Sequence, residues 1–172
     1  MNRFMSGVVF GVAMLLGATS LAQSASPAVD ANVAADTVDV QHVMDAYHAA
    51  VVGHDGVRLT SLFIPQGSVG LNVLSDAADA RAKAKSPDAV KVRVGSVADF
   101  AKLVSTSKAS FNPTHTHMVQ NSDGTIASVY FDFSFLIDGK EQNRGSETWI
   151  LVKGSEGWRI AAITYSSDPK VG

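Results

Sequence analysis

The sequence predicts an α+β fold in which a curved antiparallel sheet wraps over N-terminal helices. Helical spacing of apolar residues dominates the first half of the chain, and four long runs of β-branched and aromatic residues occupy 111–166. Turns rich in Asn, Asp and Gly separate the runs, and Asp138-Gly139 is a strong hairpin signal. Helices followed by strands are typical of α+β domains. Because a curved sheet wraps over the helices, we expect a cone-shaped cavity between the two layers.

The N-terminus has the pattern of a secretory signal peptide over residues 1–22. Arg3 precedes an apolar run that ends at Leu16, and Ser20-Leu21-Ala22 fits a cleavage site. The run is short for a membrane span, so an uncleaved anchor is the less favoured alternative. We therefore predict a periplasmic or secreted protein, with a flexible leader over 23–36 and one domain over 37–168.

Composition narrows the class of protein. Cleavage removes Arg3 and lowers the formal net charge from −2 to −3, which argues against nucleic acid as a partner. The chain has no cysteine, so the fold needs no disulfide even after export. No second apolar segment is long enough for a membrane helix, and we expect no membrane association after signal removal.

The helices are predicted from apolar spacing. A first helix begins near Asp39 and carries an apolar stripe through Tyr47 until Gly53 ends it. A second, short helix covers Val57 to Phe63, and 68–74 reads as a short strand.

Two further segments precede the long strands. Residues 75–90 are rich in Ala and charge, which fits a helix or a mobile loop and either a solvated face or a lid. Ser96 and Asp99 resemble a capping box that opens a helix, whose predicted buried residues are Val97, Phe100, Leu103 and Val104.

Strand register sorts the side chains by face. If Asp138-Gly139 is a two-residue turn, Ile137 faces Lys140, and counting back places Tyr130 opposite Glu147. One face then carries His115, His117, Ser128, Tyr130, Asp132, Glu147, Trp149, Leu151, Trp158, Ile160 and Thr164. The other carries Val129, Phe131, Phe133, Phe135, Thr148, Ile150, Ile163 and Tyr165. A slip of one residue in any turn reverses a whole strand.

Two segments resemble a known superfamily. AYHAAVVGHDGVRLTSLFIPQGSVGL (46–71) and GSETWILVKGSEGWRIAAITYSS (145–167) are similar to the opening and closing of nuclear transport factor 2-like domains. That superfamily includes SnoaL-like polyketide cyclases, ketosteroid isomerases and lumazine-binding-like proteins. The resemblance covers about 38–167 by turn and strand order and implies a cystatin-like roll. Because this fold hosts many activities, it says little about function.

The resemblance also implies a use for each face of the sheet. Members hold a ligand between the helices and the concave face, and many dimerise through the opposite face. We therefore expect the polar face to be concave and a homodimer to form through Phe131, Phe133 and Phe135. In the alternative, the helices cover the phenylalanines and the polar face meets solvent.

The predicted function is binding of a small apolar or aromatic ligand in this pocket, without a cofactor. The tryptophan rings favour a flat ligand through stacking. The predicted ligand-binding residues, drawn from the polar face and the first helix, are Tyr47, His115, His117, Tyr130, Asp132, Glu147, Trp149 and Thr164.

Two other chemistries remain open for the same residues. Asp132 or Glu147 beside His115 and Tyr130 would suit acid–base catalysis by an isomerase, dehydratase or cyclase. His115 and His117, two apart on one strand, could bind a metal with a carboxylate, but no tight ligand motif accompanies them. We therefore predict no metal. A polar patch with a purely structural role is the plainest alternative.

Overall fold

The computed structural model describes residues 27–65 and 67–170, with side chains from Ala35 onward. The predicted signal peptide, 1–22, lies outside the described residues. In chain order the elements are α1 (Pro27–Val52), α2 (Gly56–Ser61), β1 (Val69–Leu74), α3 (Asp76–Lys85), β2 (Val92–Gly95), α4 (Val97–Thr106), β3 (Phe111–Ser122), β4 (Ile126–Ile137), β5 (Lys140–Gly154) and β6 (Gly157–Ser167). None of the described helices is long and apolar enough to cross a membrane.

The strands form one sheet in the order β2-β1-β6-β5-β4-β3. The four long strands pair with their sequence neighbours as antiparallel hairpins, whereas β1 pairs with β6 in parallel and β2 completes that edge. The α+β class and the helix-covered antiparallel sheet predicted from the sequence are confirmed.

Three β-bulges interrupt the long strands. In β3, His117 and Met118 together lie opposite Phe131. In β5, Gln142 is extra, and in β6, Ala161 is extra. Each bulge adds a residue on one strand only, so it bends that strand and reverses its side-chain alternation relative to its neighbour.

The bulges explain why the predicted faces are wrong for much of the sheet. Close to two of the three turns the predicted pairs are present, namely Ile137 with Lys140 and Lys153 with Trp158. Beyond the bulges Glu147 pairs with Phe131 and Tyr165 instead of with Tyr130 and Thr164. The faces of β4 are therefore exchanged relative to β5.

The side of the sheet that packs against the helices is called the concave face, and the other side the convex face. The core on the concave face includes Val129, Phe131, Phe133, Trp149 and Ile160. Phe135 packs against the edge of this core. The three phenylalanines are thus covered by the protein's own helices, which corrects their predicted convex position. The predicted homodimer loses them as its interface and stays a prediction.

Helix α1 begins earlier than predicted. It starts at Pro27 instead of near Asp39, inside the segment predicted to be a flexible leader. Asp36 is 4% exposed and pairs with Lys153 of β5, with Oδ1 2.7 Å from Nζ. This ion pair ties the first half of α1 to the sheet, and the Ala-rich sequence there favours helix.

The shorter helices begin at capping side chains. Asp55 accepts from the Arg58 backbone N–H at α2, and Ser96, the predicted cap of α4, accepts from the Asp99 N–H. Ser75 caps α3 in the same way, so a helix occupies the first part of 75–90. One prediction for α4 is wrong, because Leu103 is 52% exposed.

Candidate functional site

A cavity of about 340 Å³ lies between the helices and the concave face. Helices α1 and α4 and all six strands contribute to its walls, which are mostly apolar. The lining residues are Tyr47, Phe63, Val69, Gly70, Gly95, Ser96, Val97, Phe100, Leu103, Pro113, His115, Phe133, Phe135, Asn143, Glu147, Ile163 and Tyr165. This size and character are typical of small-molecule sites.

Glu147 supplies the carboxylate of this lining. It lies on β5 between Phe131 of β4 and Tyr165 of β6, so the three side chains share the concave face. Burial raises its pKa to about 7, although the indole Nε1–H of Trp149 donates to Oε1 and acts in the opposite direction. A carboxyl group with this pKa both gives and takes a proton near neutral pH.

Two tyrosines flank this carboxyl group. Tyr165 is the cross-strand neighbour of Glu147 on β6, and Tyr47 reaches the cavity from α1. The Tyr47 ring lies edge-on to Trp149, with 4.8 Å between ring centroids. Burial, and then the charge of Glu147, raise the pKa of both phenols, so both stay protonated as hydrogen-bond donors.

His115 brings a neutral imidazole to the same cavity. Its ring centroid lies 4.4 Å from that of Phe131. Burial, and then the charge of His48 on α1, lower its pKa to about 4. At neutral pH the ring therefore carries one donor and one acceptor and no charge.

The structure brings together only part of the predicted ligand-binding set. Tyr47, His115 and Glu147 line the cavity, and Trp149 supports two of them from the core.

The other four predicted residues lie on the convex face, so their predicted position is wrong. Tyr130 is 48% exposed, and His117, Asp132 and Thr164 also face outward. The physical reason is the register shift at the bulges, which reverses β4 against β5 and separates His117 from His115.

Asp132 belongs to a small polar cluster on that convex face. Ser146 Oγ donates to Asp132 Oδ1 over 2.9 Å, and His117 Nδ1 lies 3.0 Å from Oδ2. The hydrogen bond to Ser146, and then the one to His117, lower the pKa of Asp132. Acid–base catalysis near neutral pH needs a raised carboxyl pKa, so this environment does not suit Asp132 to that role. In the described part of the chain no three His, Asp or Glu side chains come together as metal ligands.

The sequence reasoning missed Tyr165, Asn143 and the strand β2. For Tyr165 a signal was available: the apolar residues Ile160 and Ile163 are three apart, which breaks the period of two and indicates a bulge. Asn143 follows the bulge at Gln142, where its Oδ1 accepts from Ser167 Oγ over 3.1 Å. The short, exposed sequence of β2 gave no comparable signal.

Comparison with solved structures identifies the fold. An NTF2-like protein of unknown function from Shewanella baltica OS155 matches with a TM-score of 0.56 and 15% identity, over 80% of this chain and 97% of that one. An NTF2-like protein with a cystatin-like fold from Novosphingobium aromaticivorans matches with a TM-score of 0.58 and 12% identity, over 87% and 91%. A protein of the NTF2-like family from Streptomyces avermitilis, provisionally assigned as a dehydratase, matches with a TM-score of 0.57 and 17% identity, over 81% and 99%.

The chain therefore has the NTF2-like, cystatin-like fold that the sequence resemblance implied. No protein-family model and no curated protein sequence matches it. At these identities the similarity establishes the fold alone, and function has to be argued from the cavity.

Proposed function

We propose that this protein binds a small apolar or aromatic molecule in the cavity between the helices and the concave face. The observation that carries the proposal is the cavity itself, with apolar walls around a few converging polar groups. Tyr47, Phe100 and Phe133 offer ring faces and edges to a flat ligand. Glu147, His115 and Tyr165 can fix its orientation by hydrogen bonds.

Glycine positions provide a direct test of this binding site. Gly95 lines the cavity, and a Cβ added there would lie 3.8 Å from its nearest neighbour, so Gly95→Leu should fold and fill the rim. Gly154 on the exposed β5–β6 turn has matched surroundings, with 3.9 Å to the nearest atom, and lies outside the cavity lining.

The measurement is calorimetric titration of 2-naphthol into the purified protein and both variants. We expect binding to the original chain and to Gly154→Leu, and at least a roughly tenfold loss in Gly95→Leu because the added side chain occupies ligand space. Equal binding by all three proteins, or binding by none, would exclude this cavity as the site.

A second function, acid–base catalysis on the bound molecule, is favoured by the environment of Glu147. Its pKa of about 7 suits proton transfer, and the tyrosine hydroxyls and neutral His115 can hydrogen-bond a carbonyl or hydroxyl oxygen. The reaction would be a cofactor-independent isomerisation, dehydration or cyclisation. The provisional dehydratase that shares the fold agrees with this alternative.

Proton exchange separates catalysis from simple binding. In D₂O, the protein should accelerate deuterium exchange next to the carbonyl of 2-tetralone, as followed by NMR, if Glu147 abstracts that proton. Glu147→Gln should abolish the acceleration, whereas Asp132→Asn on the convex face should leave it unchanged. A rate equal to that of buffer alone would reject catalysis of this type and leave binding as the function.

A periplasmic or secreted location and a homodimer are also part of this proposal. Mass spectrometry of the mature exported chain tests both, since its mass reports cleavage after residue 22 and its native mass reports a monomer or a dimer.

A further inference from the structure

A row of four polar side chains crosses the concave face from the sheet edge to the cavity. Arg93 of β2 pairs in register with Asn72 of β1, and Asn72 pairs with Tyr165 of β6. Tyr165 in turn pairs with Glu147 of β5. Register neighbours in a sheet share a face, so the row continues from exposed Arg93 to the carboxyl group in the cavity.

The outer half of this row interacts with a cavity-lining group. Burial and the charge of Glu147 raise the pKa of Tyr165, whereas a hydrogen bond from Asn72 and the charge of Arg93 act to lower it. The guanidinium of Arg93 is therefore close enough to influence a hydroxyl that faces the ligand space.

The Arg93 guanidinium lacks an anion, and the Asn72 Oδ1 atom lacks a donor, among the described residues. Arg93 is exposed and makes no ion pair there, whereas Arg81 and Arg159 pair with Asp168 and Glu156. Asn72 Oδ1 is buried and has no hydrogen-bond partner in the same part of the chain. An exposed cation without an anion beside an apolar cavity fits an anionic ligand, and the buried acceptor needs a donor that a reoriented guanidinium can supply.

Two glycines open the cavity toward this row. Gly70 of β1 and Gly95 of β2 are register partners, each two residues along its strand from Asn72 or Arg93, and both line the cavity. Their missing side chains leave the lining open at the sheet edge, and glycine within a strand often marks a close approach of a ligand.

We propose that Arg93 and Asn72 form a carboxylate subsite at this edge, so that the ligand is an apolar or aromatic carboxylic acid. Its ring or chain occupies the cavity, and its carboxylate lies at the outer end of the row. A carboxylate deeper in the cavity would meet Glu147, a second acid in apolar surroundings. Once a carboxylate orients the guanidinium, a further N–H of Arg93 is free to donate to Asn72 Oδ1.

The test compares two probes of equal shape, 2-naphthoate and 2-naphthamide, by calorimetry at neutral pH and low ionic strength. This inference rests on the proposed binding function, which the neutral amide tests by itself. We expect naphthoate to bind roughly three- to tenfold more tightly than naphthamide, the range for a partly exposed charge-assisted contact, and added salt to reduce the preference.

Three variants locate the charge that gives the preference. Arg93→Gln should abolish the preference, because naphthoate loses more affinity than naphthamide, and Arg93→Lys should restore part of it. Arg58→Gln is the control, because this exposed arginine on α2 lies outside the cavity lining. Equal affinities for the two probes, or an undiminished preference in Arg93→Gln, would overturn the carboxylate subsite alone. Failure of both probes to bind would overturn the binding function and the subsite together.

Discussion

His115 and His117 lie two residues apart on β3 but on opposite faces of the sheet. Strand alternation alone would place both rings on one face. The bulge at His117 and Met118 adds a residue opposite Phe131, and His117 takes a positive φ of 53°. One imidazole therefore enters the apolar cavity while the other meets solvent beside Asp132. This separation removes the geometric basis for a two-histidine metal site, the alternative that the sequence left open.

The left-handed backbone at His117 predicts an unusual response to glycine. A non-glycine residue there carries a cost of roughly 1–2 kcal/mol, and the exposed contact to Asp132 offsets little of it. His117→Gly should leave the free energy of unfolding unchanged or raise it by about 1 kcal/mol. Thr116→Gly, one residue earlier in regular strand, should lower it by about 1 kcal/mol. Urea denaturation measures both; equal losses would contradict the bulge.

Adjacent residues of β4 test which face is buried. Phe131 is fully buried under the helices, so Phe131→Ala should lower the free energy of unfolding by about 3–5 kcal/mol. Tyr130 is half exposed on the convex face, so Tyr130→Ala should cost less than about 1 kcal/mol. The same denaturation experiment compares them. A larger loss for Tyr130→Ala would restore the face assignment predicted from the turns.

The sequence predicts the strands well because their signals are local. Turn residues and β-branched runs place β3 to β6 within a few residues of their observed ends, and capping side chains place α2 and α4. Tyr47, His115 and Glu147 were predicted to line the cavity, and they do so.

The rest of the site depends on how the sheet bends over the helices, which counting from a turn does not capture. Tyr130, Asp132 and Thr164 were assigned through registers that the bulges at Gln142 and Ala161 alter. The apolar residues of β4, including Phe131 and Phe133, were a better guide to the buried face than the register counted from the turns. Burial of large apolar side chains is strongly stabilising, whereas one extra residue is enough to reverse a counted register.

The pKa of Glu147 predicts a specific pH dependence of stability. Folding raises it from 4.5 to about 7, so the folded chain keeps a proton that the unfolded chain releases. The stabilisation from this group is complete below about pH 4.5 and is lost as the pH rises through about 7. Glu147→Gln should therefore exceed the original chain in unfolding free energy by about 1–3 kcal/mol near pH 8, and differ little near pH 5.

Urea titrations at both pH values check this prediction, with Glu156→Gln on an exposed turn as the control. A Glu147→Gln variant that is less stable than the original chain at both pH values would show that the carboxylate is stabilised as an anion and that burial does not dominate its pKa.

The lowered pKa of His115 predicts a loss of folding stability at acid pH. Burial and then the charge of His48 lower its pKa from 6.5 to about 4. Between these two pH values the unfolded chain binds a proton on this ring, whereas the folded chain does not. Stability from this group is present above about pH 6.5 and is lost as the pH falls through about 4. Glu147 acts over an overlapping range with opposite sign, while Tyr47 and Tyr165 stay protonated throughout. The Glu147→Gln background therefore isolates the histidine.

In that background, the free energy of unfolding should decrease by about 1–2 kcal/mol between roughly pH 6.5 and pH 4.5, and adding His115→Gln should flatten the decrease. His48→Gln should flatten it only in part, because burial is the larger cause of the lowered pKa. His42→Gln, on an exposed position of α1, is the matched control. If the free energy of unfolding still decreases in this pH range after His115→Gln, the cavity admits a charged imidazole. The role assigned to His115 as a neutral hydrogen-bonding group would then be wrong.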